Sequence, residues 1–516
     1  MELLTSILSL PVNSVLVFTG AALFLWYYLQ DQLSYWRKRG VPYISPIKCF
    51  SFTMAQTLRT KSVLETTKEM YELLEGHSYG GIYRLFRPAV ILRDPGMVKE
   101  WLVKGFPSFH DRNSPPDKKA RNLSNLFTLT GDRWHTVRTK LAPAFSSAKL
   151  KVMYQTLKGC ASELNAHLQG LCSTKGEVEI DIKDLVSRYA MDVIGACALG
   201  IQCNAIKDPE NCQMRKAVQQ IFRINWRFSL QILLSSIHPK LALLFSLSRG
   251  TSEVTKFLTS VTKEAMDAKK KAGSSRKDFL QIMMSAGDTE IEKRKKLTEN
   301  EDFMFTENVI TSMIGLFLSA GLDPVATTVT FCLYELAYHP EIQDRIFQEI
   351  QTVRNESGDE IGFEDLKKLQ YLEQVVNETL RKYPPAGVLS RKCTESFQIP
   401  DSSVVIEKGL GLMIPAACFH HDPKYFPDPE RFDPERFSKE NIGNIVPGSY
   451  IPFGEGPRFC IANRLALMDV KTMLITLVSD YSLHPCARTK NHFEFDRETF
   501  TLNPKGEVWL RLKKRS

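Results

Sequence analysis

A ten-residue run near the C-terminus, Phe453–Ala462, constrains this chain more than any other feature of its sequence. It reads Phe-Gly-Glu-Gly-Pro-Arg-Phe-Cys-Ile-Ala, so two glycines, a proline and an arginine precede Cys460. The glycines permit tight backbone turns, and the proline stiffens the approach to the cysteine. Residues 461–470 favour a helix, which would place the sulfur at a helix N-terminus, where the dipole stabilises negative charge. The run therefore predicts a rigid loop that presents one thiolate.

A thiolate presented in this way suits a haem iron ligand. Such a ligand needs a mostly apolar pocket and backbone N–H groups aimed at the sulfur, because these groups set its charge. The competing interpretation is a buried structural cysteine, which is the usual fate of a lone cysteine. All ten positions agree with the ligand interpretation. We therefore expect Cys460 to bind haem iron, with Phe453 against the cofactor and Arg458 reaching a propionate.

The run resembles the haem-binding signature of the cytochrome P-450 superfamily, the haem-thiolate monooxygenases. Glu378–Arg381 is similar to the family's helical Glu-x-x-Arg element, and Phe432–Phe437 to the segment that supplies a third charged member. Residues three apart share a helix face, so Glu378 and Arg381 can form an ion pair. With Arg436 they would form a buried charge cluster, in which losing one member strands the others. We expect this cluster to be structural and to hold the loop beneath the haem.

Further propionate partners are implied by the resemblance. The segment 131–138 looks like the family's Trp-x-x-x-Arg helix, in which Trp134 and Arg138 lie one turn apart and can both donate from one face. Arg391 stands where relatives have another partner, and Arg112 is a further candidate. A solvated surface arginine is the competing interpretation for both of these positions. The implied cofactor is haem b, iron protoporphyrin IX, with an axial cysteine thiolate.

One segment departs from the family pattern. Relatives typically have Ala-Gly-x-(Asp or Glu)-Thr in the long helix over the haem, whereas this chain ends the same run, 320–324, with Asp323 and Pro324. In the family the threonine hydroxyl helps to hold water beside dioxygen. Pro324 cannot supply it, and in a straight helix it costs about 3 kcal/mol, releases the Ala320 carbonyl and favours a kink. We expect Ala320, Gly321 and Asp323 to form the catalytic side of the site, with Asp323 as the proton-relay acid.

This departure leaves three functions open. The first is a monooxygenase that takes electrons from NADPH through a reductase and inserts one oxygen atom from dioxygen into an apolar small molecule. The segments 277–281, 331–336 and 36–46 favour it, because they look like microsomal monooxygenases of the invertebrate xenobiotic-metabolising group, which act on hormones, lipids, plant toxins or insecticides. The second is a haem-thiolate isomerase or dehydratase of lipid hydroperoxides, a branch of the family that also lacks the threonine. The third is a non-catalytic haem-binding sensor, which the retained thiolate loop disfavours.

The N-terminus indicates a membrane anchor. Residues 3–30 contain no charge and are long enough to span about 30 Å of hydrocarbon as a helix. Aromatic residues 26–28 stand near the end of this stretch, and the basic residues 37–39 that follow place the rest of the chain in the cytosol. A cleaved signal peptide is disfavoured by the length and by the missing basic start. The odd number of cysteines, 11, without paired spacing also suits a reducing compartment.

The expected architecture is mainly α with a small β-sheet, as in the cytochrome P-450 fold. We expect a membrane anchor over 1–30, a basic and proline-containing hinge over 31–46, and a single haem-thiolate catalytic domain over 47–516 on the cytosolic side of the endoplasmic reticulum or microsomal membrane. Alternation at 81–92 and 397–408 predicts strands. Amphipathic or apolar stretches predict helices over 150–172, 182–199, 303–338 and 340–353. Apolar segments at 125–129 and 221–237 fall where relatives line the substrate cavity.

Charge is informative mainly about partners. The net charge of +9 is spread along the chain, and no basic stripe with aromatics or known module indicates nucleic-acid binding. A basic face near the haem would dock an acidic electron donor. Its candidate residues are Arg133, Lys140, Lys149, Lys151 and Lys471. The expected partners are membrane lipid, an NADPH-dependent cytochrome P-450 reductase and a b-type cytochrome as a second donor.

Overall fold

A computed structural model describes residues 12–112, 125–173, 176–222, 230, 252–272, 278–294, 305–358, 360–499 and 501–515. The protein is mainly helical with small sheets, as expected. The described α-helices are α1 (Val12–Leu33), α2 (Tyr35–Lys38), α3 (Pro46–Thr57), α4 (Val63–Leu73), α5 (Gly96–Lys99), α6 (Gly131–Leu141), α7 (Ser147–Cys172), α8 (Ile182–Ala198), α9 (Gln213–Phe222), α10 (Ser252–Ala272), α11 (Phe279–Arg294), α12 (Glu307–Tyr338), α13 (Pro340–Ser357), α14 (Gln370–Lys382), α15 (Ala416–His421) and α16 (Asn463–Asp480). The described strands are β1 (Tyr79–Arg84), β2 (Arg87–Leu92), β3 (Glu177–Asp181), β4 (Leu389–Lys392), β5 (Phe397–Gln398), β6 (Val405–Ile406), β7 (Gly411–Ile414), β8 (Tyr481–His484) and β9 (Trp509–Lys514).

The largest sheet has the order β1-β2-β7-β4, and it includes the predicted hairpin, in which β1 and β2 pair antiparallel. β7 is parallel to β2 and antiparallel to β4. A second sheet has the order β3-β9-β8, and β5 and β6 form a short two-stranded ribbon within the predicted 397–408 segment. The sheets are small because most of the apolar surface is buried between helices instead.

The helical core is organised around α12, whose most extensive contacts are with α8. The Thr306 side chain caps α12 by accepting a hydrogen bond from the Val309 N–H, so the helix starts later than the predicted residue 303, whose position lies outside the described residues. The predicted helices over 150–172 and 340–353 are also present, although α7 begins three residues earlier and α13 continues to residue 357. Of the predicted cavity segment 221–237, almost all lies outside the described residues.

The segment proposed as a hinge packs against the large sheet. Trp36 is fully buried, and its indole donates to the carbonyl of Ile82 at 3.1 Å. A side chain at Gly81 would place a Cβ 2.3 Å from the Trp36 ring, so only glycine fits there. Tyr43 pairs with Gly81 in a parallel bridge. The segment is extended as expected around Tyr43, but it is held by the globule, and the domain boundary at residue 46 stays a prediction.

The described part of the expected anchor is the 22-residue helix α1. Its exposed large side chains include Leu23, Trp26 and Tyr27. Among the described residues, one helix is long and apolar enough to cross a membrane by composition, and this is α12, which is mostly buried in the protein core. The membrane anchor over 1–30 therefore stays a prediction.

Candidate functional site

The loop 453–462, called the Cys460 loop below, is held by its own backbone. The N–H of Cys460 donates to the carbonyl of Phe453 at 3.0 Å, and α16 starts three residues after the cysteine. Gly454 and Gly456 have φ values of +83° and +72°, which a side chain would strain. At Gly456 an added Cβ would also lie 2.1 Å from the carbonyl oxygen of Leu102. Both glycines of the run are thus required by the backbone path.

The Cys460 sulfur lies at the wall of a cavity, where burial and neighbouring groups shift the pKa of its thiol in opposite directions. Burial raises the pKa of the thiol above its ordinary value. The N–H of Ala462 and the charges of Arg112 and Arg138 act in the other direction and favour the thiolate. An iron ion bound to the sulfur would favour the thiolate further, because the deprotonated sulfur is the metal ligand.

The cavity has a volume of about 1060 Å³ and lies between the Cys460 loop and α12. Phe453 and Cys460 line one wall, and Ala320, Gly321 and Pro324 line the opposite one. This volume, closed in by a cysteine on one side and an apolar helix on the other, is large enough for a macrocycle and a small organic molecule together.

Three aromatic side chains make part of the cavity apolar. The ring centroids of Phe145 and Phe279 are 4.9 Å apart, and those of Phe279 and Phe317 are 5.0 Å apart. All three line the cavity, as do Leu126 and Phe127 of the predicted segment 125–129. The chemistry of this wall favours an apolar guest.

Four arginines gather near the Cys460 end of the cavity and line it. They are Arg112, Arg138, Arg391 and Arg458. Burial, together with the charge of the neighbouring arginines, lowers the pKa of Arg112 to about 9, and burial lowers the pKa of Arg391 to about 10. Arg391 is 3% exposed and donates to the carbonyl of Ser390 at 2.9 Å. It is therefore a buried cation and not the solvated surface residue of the competing interpretation.

Arg112 and Arg138 occupy less enclosed positions. Arg112 stacks on the Phe127 ring at 4.1 Å, and it makes long hydrogen bonds of 3.4 Å to the carbonyls of Phe127 and Arg458. Burial lowers the pKa of Arg138, which projects from α6 one turn after Trp134. In the described part of the chain the Trp134 indole N–H has no hydrogen-bond acceptor. Both donors of the predicted helix are thus available to a guest in the cavity.

Arg458 is more strongly bound to the protein than the sequence indicated. Its guanidinium donates to the carbonyls of His110 at 2.7 Å and Leu129 at 2.8 Å, and it lies 3.4 Å from the Asp111 carboxylate. It also stacks 4.0 Å above the Trp134 ring. Burial lowers its pKa to about 9, although Asp111 opposes this shift. The Asp111 contact was not foreseen, because nothing in the sequence links residue 111 to residue 458.

The charges of this cluster fit an anionic guest. Among the described residues, the one carboxylate that pairs with any of the four arginines is Asp111. Burying several cations with so little compensation is costly unless a ligand supplies negative charge. Two propionates of a haem would do so, and Cys460 would supply the iron ligand. The residues present therefore fit the cofactor that the sequence implied.

The opposite wall is formed by α12, which is helical on both sides of Pro324. Because Pro324 has no N–H, the carbonyl of Ala320 lacks its usual helical donor, and Ala320 is exposed to the cavity. At Gly321 an added Cβ would lie 2.5 Å from Cδ1 of Ile194 in α8. Gly321 thus has a packing role between two helices besides its place in the wall.

Asp323 does not line the cavity. Its carboxylate accepts hydrogen bonds from the side chains of Thr501 and Asn503, both in the segment that precedes β9. Burial raises the pKa of Asp323, and these two donors oppose the rise. The sequence motif located Asp323 on α12, but it contained no signal for the two partners, which lie about 180 residues further on. The catalytic assignment of Asp323 stays a prediction.

The predicted charge cluster is assembled beneath the Cys460 side. Arg381 makes two hydrogen bonds to Glu378, of 2.7 and 2.9 Å, and both side chains are fully buried. Arg436 lies 3.5 Å from the same carboxylate. Arg381 also donates to the carbonyls of His420 at 2.9 Å and Pro429 at 2.7 Å, so it joins α14 to the chain that leads towards the loop. The predicted contacts are therefore present, and the role of the cluster in supporting the loop stays a prediction.

The prediction of a basic docking face is wrong for one residue, Lys471. Lys471 is 7% exposed, pairs with Glu373 at 2.9 Å and donates to the carbonyl of Leu366. Because it is buried in α16, it is not available to a docking partner. Arg133 and Lys151 are exposed, and Lys140 and Lys149 are partly exposed.

Comparisons with known proteins show the family of this chain. A family model described as Cytochrome P450 matches residues 58–511. Cytochrome P450 6k1 of Blattella germanica is 34% identical over 92% of this chain and 92% of its own length, and Cytochrome P450 6j1 of the same cockroach is 34% identical over 98% of each. Cytochrome P450 6B1 of Papilio polyxenes is 31% identical over 95% of this chain and 97% of its own length. The chain therefore belongs to the cytochrome P450 family and is a haem-dependent monooxygenase.

Proposed function

We propose that this protein is a microsomal monooxygenase that inserts one oxygen atom from dioxygen into an apolar small molecule, with electrons from NADPH delivered by a reductase. The observation that carries the proposal is the pairing of Cys460 at the end of the cavity with a cluster of arginines and an apolar opposite wall. The insect relatives support the same class of reaction.

The cofactor in this proposal is haem b, with Cys460 as the iron ligand and Phe453 beside it. Its propionates are bound by the donors that surround the cavity near the cysteine. These are Arg112, Trp134, Arg138, Arg391 and Arg458. When bound through a thiolate, the haem activates dioxygen and favours cleavage of the O–O bond.

The protein side chains supply position and environment. The Cys460 loop holds the sulfur through backbone hydrogen bonds and obligatory glycines, so the ligand has little freedom to move. The aromatic wall of Phe145, Phe279 and Phe317 excludes water and binds an apolar substrate by contact area. Glu378, Arg381 and Arg436 hold the chain that supports the loop and do not take part in the chemistry.

Membrane attachment completes the proposal, with residues 1–30 as an anchor in the endoplasmic reticulum and the catalytic domain in the cytosol. Besides the charge-free N-terminus, helix α3 supports a membrane-facing side, because Ile47 is 85% exposed and Phe50 is 45% exposed. Exposed apolar residues of this size are typical of interaction surfaces.

An acidic redox partner, a reductase or a b-type cytochrome, would dock at the basic residues near α6 and α7. Arg133 and Lys151 are the most exposed of these. Charge reversal at both should reduce the rate of electron transfer at low salt and weaken its salt dependence. An unchanged salt dependence would exclude this surface as the docking site.

The proposal is tested by spectroscopy and turnover of the purified, full-length protein. The reduced protein with carbon monoxide should show the strongly red-shifted Soret band of thiolate ligation. NADPH, reductase and an apolar probe should give an oxygenated product that contains one atom from labelled dioxygen. A spectrum typical of an imidazole ligand would overturn the cofactor assignment.

Pro324 favours a second candidate, a haem-thiolate isomerase or dehydratase of lipid hydroperoxides. Such an enzyme does not activate dioxygen, so it needs no proton delivery to bound oxygen and no hydroxyl at position 324. Turnover of a lipid hydroperoxide without any reductant, together with no product from NADPH and reductase, would select it. If neither activity is found in a broad panel while the Soret band is present, the sensor function would remain.

A further inference from the structure

A polar network joins α12 to the segment before β9. Thr501 donates its hydroxyl hydrogen to Oδ2 of Asp323, and the Asn503 amide lies 3.1 Å from Oδ2 and 3.2 Å from Oδ1 of the same carboxylate. Asn503 also donates to the Thr501 oxygen at 2.8 Å, and its own carbonyl accepts from Thr327. Asn503 and Thr327 are 6% and 2% exposed. These four residues are called the carboxylate network below.

One member of the network reaches the cavity. Thr501 lines it, whereas Asp323, Thr327 and Asn503 do not. Thr501 therefore connects the carboxylate to the cavity, since this residue lines the cavity and its hydroxyl donates to Asp323. This hydroxyl comes from a part of the chain that is remote in sequence from α12.

The hydrogen-bonding capacity of a threonine hydroxyl suits proton transfer through position 501. A hydroxyl has one hydrogen to donate and two lone pairs that accept. With Asp323 ionised, the Thr501 hydrogen points to Oδ2. With Asp323 protonated, Oδ2 becomes the donor, Thr501 accepts from it and from Asn503, and its own hydrogen is released towards the cavity.

We propose that Thr501 supplies the hydroxyl that Pro324 removes from α12, and that it passes protons from Asp323 into the cavity. Monooxygenation takes up two electrons and two protons per dioxygen, and it places one oxygen atom in the product and the other in water. In each transfer the Thr501 hydrogen leaves into the cavity, the Asp323 proton moves to the Thr501 oxygen, and the half-buried carboxylate is protonated again from solvent. The inference rests on the monooxygenase function proposed above.

The charges around Asp323 are consistent with this role. Burial raises the pKa of its carboxyl and so populates the protonated form nearer to neutral pH. Lys183 of α8 lowers the pKa, and Asp496 raises it. Lys183 itself donates to the carbonyls of Pro504 and Gly506, at 2.7 and 3.1 Å, so it also fixes the segment that carries Thr501. Thr327 and Asn503 are positioning residues in this arrangement.

The alternative is a purely structural network that fastens the C-terminal segment to α12. The two roles differ in what the hydroxyl does, so we compare Thr501→Val, which keeps the shape, with Thr501→Ser, which keeps the hydroxyl. Thr328→Val serves as the competing variant, because Thr328 also lines the cavity but donates to the carbonyl of Pro324 at 2.8 Å. Asp323→Asn removes the acid itself.

The full-length holoenzyme is tested with reductase, NADPH and a fluorogenic alkoxycoumarin probe, and product and peroxide are counted per NADPH. Thr501→Val and Asp323→Asn should each lower product per NADPH about tenfold or more and raise peroxide, because a positioned proton donor typically contributes about 10²–10⁴-fold to the rate. Thr501→Ser should restore most of the product formed per NADPH. The double variant of Thr501→Val and Asp323→Asn should lose no more product per NADPH than either single variant. Parental coupling in Thr501→Val, equal defects in the Val and Ser variants, or a larger defect in Thr328→Val would each overturn the proposal.

Two readouts do not depend on turnover. Thermal midpoints show whether the Val and Ser variants pack equally well, and Thr501→Ala replaces Thr501→Val if the latter does not fold. The infrared signal of the Asp323 carboxyl is obtained as the difference between the resting protein and Asp323→Asn, and its titration should move to higher pH in Thr501→Val, because a donor to the carboxylate is lost. An unmoved titration would show that Thr501 does not contact Asp323 in solution. Absence of the red-shifted Soret band, or of any product from NADPH and reductase, in the parent protein would instead indicate failure of the monooxygenase proposal.

Discussion

The Cys460 wall and the α12 wall of the cavity are stabilised by different means. The Cys460 loop is determined by short-range features: two glycines with positive φ, a backbone hydrogen bond from Cys460 to Phe453, and a helix that starts just after it. The α12 wall carries a proline in mid-helix, and its carboxylate is held by residues that lie far away in the chain. Local interactions thus fix where the iron would bind, whereas long-range interactions position the Asp323 carboxylate.

This difference has a consequence for mutations. A change on the Cys460 wall should affect ligation, cofactor retention or folding, because several groups there depend on one another. A change on the α12 wall should leave these properties intact and alter how reducing equivalents are divided between product and peroxide.

Cys460→Ser should abolish thiolate ligation and all detectable turnover, since a hydroxyl does not replace a thiolate as an iron ligand. The reduced carbon monoxide spectrum measures this directly. Cys486→Ser, at a partly exposed cysteine remote from the cavity lining, is the matched control and should keep the parental spectrum. A red-shifted band retained in Cys460→Ser would remove the basis of the comparison.

Arg381→Ala should destabilise the protein by about 3–5 kcal/mol, because it leaves Glu378 buried without its partner. Unfolding is followed by thermal or urea denaturation of samples with equal haem content. Arg345→Ala is the control, since Arg345 and Glu435 form an exposed pair, and it should cost about 1 kcal/mol or less. Equal losses in the two variants would show that the cluster does not support the Cys460 wall.

Arg391→Gln should accelerate haem dissociation about 10- to 100-fold, which corresponds to the loss of one charged hydrogen bond of about 1.5–3 kcal/mol. Transfer of haem to an excess of a scavenger apoprotein measures the rate. Arg464→Gln changes an exposed arginine that donates to Ser147 at 2.9 Å, and its dissociation rate should be parental. If Arg391→Gln also matched the parent, Arg391 would not bind a propionate.

Stability should fall as the pH drops below about 6.5, in part because of His420. Its Nε2 accepts from the Ile451 N–H at 3.0 Å, and burial lowers its pKa to about 3. The unfolded chain then binds a proton that the folded protein does not, so this contribution is complete above about pH 6.5 and is lost at about 1.4 kcal/mol per pH unit below it. His420→Gln should flatten the dependence of the thermal midpoint on pH, whereas exposed His484→Gln should not. Parallel slopes in the parent and His420→Gln would contradict the assignment.

Pro324→Thr should lower peroxide release per NADPH by at most about fivefold, equivalent to about 1 kcal/mol, because it adds a hydroxyl beside the existing network. Pro324→Ala is the control, since it restores the backbone N–H without a hydroxyl. Equal effects of the two variants would indicate that the backbone, rather than the hydroxyl, limits coupling. A higher peroxide leak in Pro324→Thr than in the parent would contradict this expectation.

Prediction from the sequence succeeded where the relevant contacts are close along the chain. The helix periodicities, the hairpin at 81–92 and the pairing of Glu378 with Arg381 all involve residues a few positions apart, and the structure contains them. It failed at Lys471, which looked like a surface cation. The sequence around Lys471 does not reveal that Glu373 of α14 lies beside it.

The interactions that sequence inspection missed connect remote segments. Asp111 lies beside Arg458, and Thr501 and Asn503 bind Asp323, although each pair is separated by more than 170 residues. No periodicity or motif spacing reports such contacts, because they depend on how whole helices pack. Their discovery required the folded chain.

The amino-acid sequence by itself determined the family, the mainly helical class, and the turn geometry that presents Cys460. These follow from backbone preferences and short-range hydrogen bonds, which are encoded over a few residues. Only the tertiary structure decided which charges remain uncompensated around the cavity. It also decided that Thr501 connects Asp323 to the cavity. Burial and electrostatic compensation are properties of the packed molecule, since they depend on distances between parts of the chain that meet only after folding.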